Sequence, residues 1–355
     1  MTATEKVFFS VIIAAYNVEH EIAACLTSIC KAHCPQTEII VVLGASKDRT
    51  NEICADYEKQ GLVKCVMQDG KGLSNARNCG IRHASGLYLT FADADDWVVT
   101  ERFAAFVQCL RRAAEKRQFR APFDVLANDY LVGDNRGNVL FVNRQIQTIR
   151  KNRKQERKLT KDLISEFAGS KGTFWNAWRY VYRTDYLMEQ GRAFWEGHTC
   201  EDLEFAVKTL LDTRRVILVH MPYYCYCPVR PYSLMHRKDL VMIRDFWMAE
   251  RNLLQICGCD PSLAAREIEE KLKKLLIWNL PDIWEVGRRE RRGALLGYET
   301  LIKEIGLPEQ GWEKYAGRLC RWGGIGVVSG ILYCAKWIRR AYRYHEKIMM
   351  CRSME

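Results

Sequence analysis

Over the first hundred residues, short β-branched apolar runs alternate with segments whose apolar positions recur at helical spacing. Residues 11–15, 38–43 and 63–67 read as strands. Ile22, Leu26, Ile29 and Cys30 fall on one helical face, as do Phe103, Phe106, Val107 and Leu110. Asp48 is placed to cap a helix through Ile53 and Tyr57, and a further helix is expected from Ser74 to Ala84. This switching between a period of two and a period of 3.6 predicts βαβ units, and so a mostly parallel sheet flanked by helices. Residues 123–130 and 139–142 add two more expected strands, with Gly133–Gly137 as a turn between them. From Asp239 onward the spacing becomes helical through Val241, Phe246, Trp247 and Leu253, then Ile268, Leu272 and Leu276, punctuated by Pro281 and Pro308. The expected division is an α/β domain over 1–237 and a helical region over 238–355.

The run Leu87–Phe91 ends in Asp93-Ala94-Asp95-Asp96, three carboxylates within four positions. A buried strand that ends this way exposes mutually repelling charges at its exit. In extended backbone Asp93 and Asp95, two apart, share a face. Their hard oxygens suit Mg²⁺ or Mn²⁺, with substrate phosphates completing the shell. The plainer alternative is an acidic turn leading into the next helix.

Three other stretches carry groups suited to chemistry. The first strand leads into Tyr16-Asn17, whose aromatic ring can stack on a nucleobase or belong to the core. The stretch from Gly72 to Gly80 joins glycines to a helix start, a natural anion site, and places Arg77 one turn in. Arg77 can pair there with a phosphate or with the strand-end acids. Glu201-Asp202 lies over a hundred residues further on, where two adjacent acids fit either a general base or an ordinary acidic helix start.

Composition narrows the function classes. The net charge of +11 favours anionic partners. Nucleic acid is not expected, because no aromatic-interleaved recognition motif accompanies the charge. The 15 cysteines are odd in number and lack framework or zinc spacing, which fits reduced thiols of a cytoplasmic protein. Residues 144–158 hold seven Lys/Arg and one Glu, either a solvated linker or a cationic lid. No apolar run reaches the ~20 residues needed to span a bilayer. Residues 322–335 are mostly apolar and are followed by Lys336, Trp337, Arg339, Arg340, Arg343 and Lys347. That order fits an in-plane membrane anchor or a buried helix with a basic tail.

Taken together, the ordered motifs resemble the family 2 glycosyltransferases of the GT-A fold. The resemblance rests on Tyr16-Asn17, Ser46-x-Asp48-x-Thr50, Gly72-Leu73-Ser74-Asn75-Ala76-Arg77-Asn78, Asp93-x-Asp95-Asp96-Trp97 and Glu201-Asp202. Residues 176–183 also resemble the family's strand before its catalytic loop. The resemblance implies a nucleotide-binding GT-A sheet and an inverting, metal-dependent transfer of sugar from a nucleotide-sugar donor, with UDP as the expected nucleotide. It implies donor binding by Tyr16, Asn17, Arg77, Asp93 and Asp95, and Mn²⁺ or Mg²⁺ held by Asp95 with Asp93 and Asp96. Asp202 takes the base role by family position, with Glu201 beside it. Trp178, Trp195 and Glu196 are expected on the acceptor side. The implied acceptor is a glycan or lipid-linked saccharide in cell-surface polysaccharide synthesis. The implied location is peripheral, at an anionic inner face of the plasma membrane.

One departure stands out. Leu43-Gly44 occupies the place of an acidic pair that in the family reads the uracil base. It keeps a second reading open, a catalytically degenerate nucleotide- or sugar-binding module on the same fold.

Overall fold

The computed structural model describes residues 6–116, 123–151, 160–228, 239–309 and 312–335. Of the basic stretch 144–158, residues 152–158 lie outside these residues, and the cationic residues from Lys336 onward lie wholly outside them. Two compact units divide on either side of residue 231.

In the first unit the expected alternation is realised. It opens β1 (Phe9–Ala15), α1 (Ile22–Cys30), β2 (Thr37–Leu43), α2 (Thr50–Lys59), β3 (Lys64–Met67), α3 (Gly72–His83), β4 (Tyr88–Asp93) and β5 (Trp97–Val98). It continues α4 (Thr100–Glu115), β6 (Val125–Asn128), β7 (Leu131–Gly133), β8 (Val139–Val142), α5 (Gln145–Lys151), α6 (Thr160–Gly169) and β9 (Tyr180–Arg183). It closes α7 (Thr184–Glu189), α8 (Glu201–Asp212), β10 (Val216–Val219) and β11 (Tyr224–Tyr226). A seven-stranded sheet runs β10-β6-β9-β4-β1-β2-β3, and within it only β9 is antiparallel to its neighbours. The central strands β1, β2 and β4 are buried on both faces, with Phe9, Ile12, Ile13, Val41, Val42 and Leu89 at 2% exposure or less. This explains their continuous apolar runs. A second sheet runs β5-β11-β7-β8.

The expected strand over 123–130 is shorter: β6 (Val125–Asn128) lies in the large sheet, and after a break β7 (Leu131–Gly133), beyond the expected strand, lies in the small one. The break falls at Asn128-Asp129, whose side chains serve other backbone groups. The Asn128 amide pairs with both the N–H and the C=O of Met221, and the Asp129 carboxylate accepts the Ile146 and Gln147 N–H groups that open α5. Polar side chains bonded in this way compete with a continuous ladder. Asp48 acts close to the expected cap: it accepts the Thr50 N–H at 3.0 Å and also the Glu19 N–H at 3.1 Å, tying α2 to the loop after β1.

The second unit is helical: α9 (Leu240–Cys259), α10 (Leu263–Asn279), α11 (Arg288–Ile305), α12 (Trp312–Gly323) and a helical stretch over 325–335. Asp239 and Ser262 cap α9 and α10 through the Met242 and Ala265 N–H groups. Pro281 opens the 3₁₀ turn that follows α10. The core gathers Ile243, Leu276, Ile277, Ile283, Tyr298 and Leu301. Among the described residues, no helix is long and apolar enough to cross a membrane.

Glu250 on α9 is fully buried, and neither carboxylate oxygen has a hydrogen-bond partner among the described residues. Burial drives its pKa well above the ordinary 4.5, because a charged carboxylate without hydrogen-bond partners is poorly solvated there. A raised folded-state pKa binds an extra proton in the native state, so stability falls as pH rises above 4.5. Glu250→Gln is expected to raise the melting temperature at neutral pH, by about 1–3 kcal/mol of stability. The gain should vanish as the pH falls below 4.5, read by thermal melts across a pH series.

Candidate active site

The site gathers at the carboxyl ends of β1, β2 and β4, where chain order reverses about β1, the usual place for a ligand in an open α/β sheet. In register, Ala14 faces Asp93 and Ala15 faces Leu43, so Tyr16, Gly44 and the acidic turn leave the sheet side by side.

Arg77 organises the centre. It lies on α3, whose residues from Ser74 to Ile81 are all buried. Its guanidinium, 3% exposed, donates from Nη2 to Asp93 at 2.8 Å and from Nη1 to Glu201 at 2.8 Å and to Asp202. It also lies over the Phe194 ring, which stacks face to face on Phe205 at 3.9 Å. Of the two pairings open to Arg77, the structure takes the one with acids. Burial alone would lower its pKa, but Asp202, Asp93 and Glu201 hold it above the usual arginine range, so the charge is permanent.

Asp202 is strongly perturbed by its surroundings. Burial pushes its carboxyl up to about 7, opposed by Arg77 and the Ala177 N–H and aided by Glu201 and Asp93. Its second oxygen accepts that N–H at 3.1 Å. Asp202 and Glu201 begin α8 just after Cys200, which adopts left-handed backbone at φ 66°. That conformation is costly for a residue with a Cβ and sets the angle at which the acids enter the site.

The acidic turn divides by environment. Asp96 is buried, and its carboxylate accepts the Tyr224 hydroxyl at 2.7 Å and the Cys227 N–H at 2.8 Å. Burial, with Asp93 and Asp95 nearby, raises its pKa well above the ordinary value. The Tyr224 hydroxyl in turn accepts the Asp93 N–H at 3.0 Å. Asp95 is half-buried. One carboxylate oxygen from each of Asp93, Asp95 and Asp96 lies within 4.8 Å of the others, spacing that fits a hard divalent cation. Asp95 and Asp93 Oδ2, the Asp93 oxygen not bonded to Arg77, are the donors best placed to hold it. Asp96 is committed to Tyr224 and Cys227 and braces the turn.

The remaining candidates sort clearly. Tyr16 is 57% exposed and presents its ring at the end of β1. Asn17 is held in left-handed backbone at φ 52°, with its side chain accepting the Lys47 N–H at 2.8 Å, and so positions the loop that carries Tyr16. Gly44 lies directly under that ring: a Cβ there would come within 2.8 Å of Tyr16 Cδ2. Trp195 is half-buried with its ring 3.7 Å from that of His198, and Glu196 is exposed. Trp178, expected on the acceptor side, is instead core: at 3% exposure it stacks on Tyr224 at 4.6 Å and Tyr226 at 5.6 Å. It supports the acidic turn from beneath.

Two contributors went unread in the sequence. Asn78 donates to the Phe194 carbonyl and Glu196 and accepts the Phe194 N–H. Asn75 donates to Asp69 and Glu196. These amides hold the 194–196 loop against α3. Their signal was present in Ser74-Asn75-Ala76-Arg77-Asn78, where polar residues three apart share the helix face of Arg77's neighbours.

Comparison with known proteins agrees with this geometry. Residues 10–167 match the family described as Glycosyl transferase family 2. The "Uncharacterized glycosyltransferase EpsJ" of Bacillus subtilis (strain 168) is 31% identical over 222 residues, covering 61% of this chain and 60% of that protein. S. aureus TarS 1-349, solved in complex with UDP-GlcNAc, superposes with a TM-score of 0.65 at 19% identity, over 95% of this chain and 92% of that one. The mannosyltransferase PcManGT from Pyrobaculum calidifontis, solved with GDP-Man and Mn²⁺, gives a TM-score of 0.50 at 14% identity, over 93% and 88%. Residues 10–167 thus match glycosyltransferase family 2, and the chain has the GT-A fold. It spans 60% or less of the length of the first curated relatives it matches.

Removing Arg77 leaves three carboxylates facing one another in a closed site. Arg77→Met is expected to cost about 3–5 kcal/mol of stability in urea unfolding. The deficit should shrink as the pH is lowered and the acids take up protons, whereas a packing defect alone would be insensitive to pH.

Proposed function

We propose that this protein transfers a sugar from a nucleoside-diphosphate sugar, with UDP as the nucleotide, to a hydroxyl of a glycan or lipid-linked saccharide, with inversion. The setting we propose is cell-surface polysaccharide synthesis at the cytoplasmic face of an anionic plasma membrane. Residues 1–237 form the transferring domain in this reading, and 238–355 a helical region at the membrane side. The observation that carries it is the meeting of Asp93 and Asp202 on the single guanidinium of Arg77, which sets the two acidic stretches on one site.

In this reading Tyr16 stacks on the nucleobase and Asn17 fixes its loop. Asp202 removes the proton of the acceptor hydroxyl as that oxygen attacks in line, opposite the departing diphosphate. A carboxyl raised toward 7 is matched to such a proton transfer near neutral pH. Glu201 keeps Asp202 basic through like-charge repulsion, while Arg77 and the Ala177 N–H hold its orientation. A divalent cation on Asp95 and Asp93, when bound, neutralises charge on the leaving diphosphate. Trp195 and Glu196 offer a ring and a carboxylate to the acceptor sugar. The TarS and PcManGT complexes support a nucleotide-sugar donor, and the Mn²⁺ of the latter supports a metal.

Leu43 and Gly44 favour a second reading, a binding module without turnover, because neither side chain can accept a hydrogen bond from a base. A panel of nucleotide sugars incubated with Mn²⁺ and read by mass spectrometry decides between them. Transfer or hydrolysis of one donor is expected, and a silent panel with tight nucleotide binding would favour the module. Asp202→Asn should lower turnover by about 10²–10⁴-fold while calorimetric UDP affinity persists. Near-normal turnover would remove Asp202 from the base role. Asp95→Ala should abolish the gain in UDP affinity that Mn²⁺ confers, and an unchanged gain would put the cation elsewhere.

A further inference from the structure

The proposed membrane setting leaves unassigned the surface that meets the lipid, and the second unit carries a face suited to it. Residues 325–335 are helical. One side of this helix is packed: Ile325 and Val328 join the unit's core, and the Ser329 hydroxyl accepts the Trp284 Nε1–H at 3.0 Å. The other side presents Val327 and Ile331, four apart, at 60% and 61% exposure. An open groove of about 650 Å³ follows this side, lined by Trp284, Gly326, Val327, Gly330, Ile331 and Cys334. A helix surface made of β-branched side chains and glycines gains nothing from water. Burying each of the two exposed side chains is worth roughly 1.5–3 kcal/mol.

The occupant is indicated by charge. The sequence that follows directly carries Lys336, Arg339, Arg340, Arg343 and Lys347 against a single Glu346, with Trp337 and Tyr342 among them. An apolar helix face leading into cationic and aromatic residues matches the boundary of an anionic bilayer. Apolar side chains enter the acyl region, aromatic rings sit at headgroup level, and each Lys or Arg near the surface adds about 1 kcal/mol. A second copy of this chain would bring the same cationic stretch against its twin in a protein already at +11. We propose that the 325–335 helix is the membrane-contact element of this protein, with Val327 and Ile331 entering an anionic leaflet.

This rests on the membrane setting proposed above, but its test needs neither donor nor acceptor. The full chain is sedimented with phosphatidylcholine vesicles, with or without phosphatidylglycerol. Binding to the anionic vesicles is expected, at least about tenfold weaker on neutral ones and falling with salt. Val327→Asp with Ile331→Asp should weaken that binding at least roughly tenfold with an unchanged melting temperature, since both side chains are exposed. Val327→Ser with Ile331→Ser should weaken it too, separating lost apolar contact from added repulsion. Equal binding by the serine variant and the parent would overturn the proposal, as would equal binding to both vesicle types or to neither. A concentration-dependent dimer in sedimentation velocity, abolished by the same substitutions, would assign the face to a second copy instead. Loss of sugar transfer with vesicle binding intact would strike the proposed chemistry and leave this surface standing.

Discussion

A single guanidinium, closed off from water and shared by three carboxylates, is the interaction on which the site depends. Desolvating Arg77 is costly, and charge-assisted bonds to Asp93, Glu201 and Asp202 offset that cost. One positive charge does not balance three negative ones. Burial, aided by the neighbouring acids, raises the Asp202 carboxyl to about 7, and the turn after β4 gathers three carboxylates with spacing that fits a cation.

The turn is also braced from the second sheet. The Tyr224 hydroxyl accepts from the Asp93 backbone and donates to Asp96, so one group on β11 fixes both ends of the acidic stretch. Trp178 stacks on that tyrosine within 8° of parallel. The aromatic layer therefore acts on the site through orientation and not through contact with a ligand. A substitution there would reach the chemistry by letting the carboxylates drift.

Much of this was legible in the sequence, for identifiable reasons. The βαβ alternation was readable because strands covered on both faces must be continuously apolar, while the helices between them keep a one-sided period. The acids at 93–96 and 201–202 were visible as local clusters. Their convergence was not, since nothing local says that one arginine on α3 reaches both. The two-way reading of Arg77 could be decided only by burial. The break between β6 and β7 escaped because Asn128 and Asp129 bond to Met221 and to the start of α5, partners distant in sequence. Trp178 was misplaced for a related reason, since an aromatic beside a catalytic motif looks the same whether it faces a sugar or a tyrosine. The short strands β10 and β11 went unread because three- and four-residue runs carry too little pattern.

The meeting of Gly44 with Tyr16 binds the evolution of two positions. With a Cβ meeting Tyr16 Cδ2 at 2.8 Å, no carboxylate fits at residue 44 while the ring keeps its place. An acid at that position requires the tyrosine to move or shrink in the same step. Among homologues the two sites should therefore change as a pair, glycine travelling with a ring in this orientation and an acid with a ring displaced.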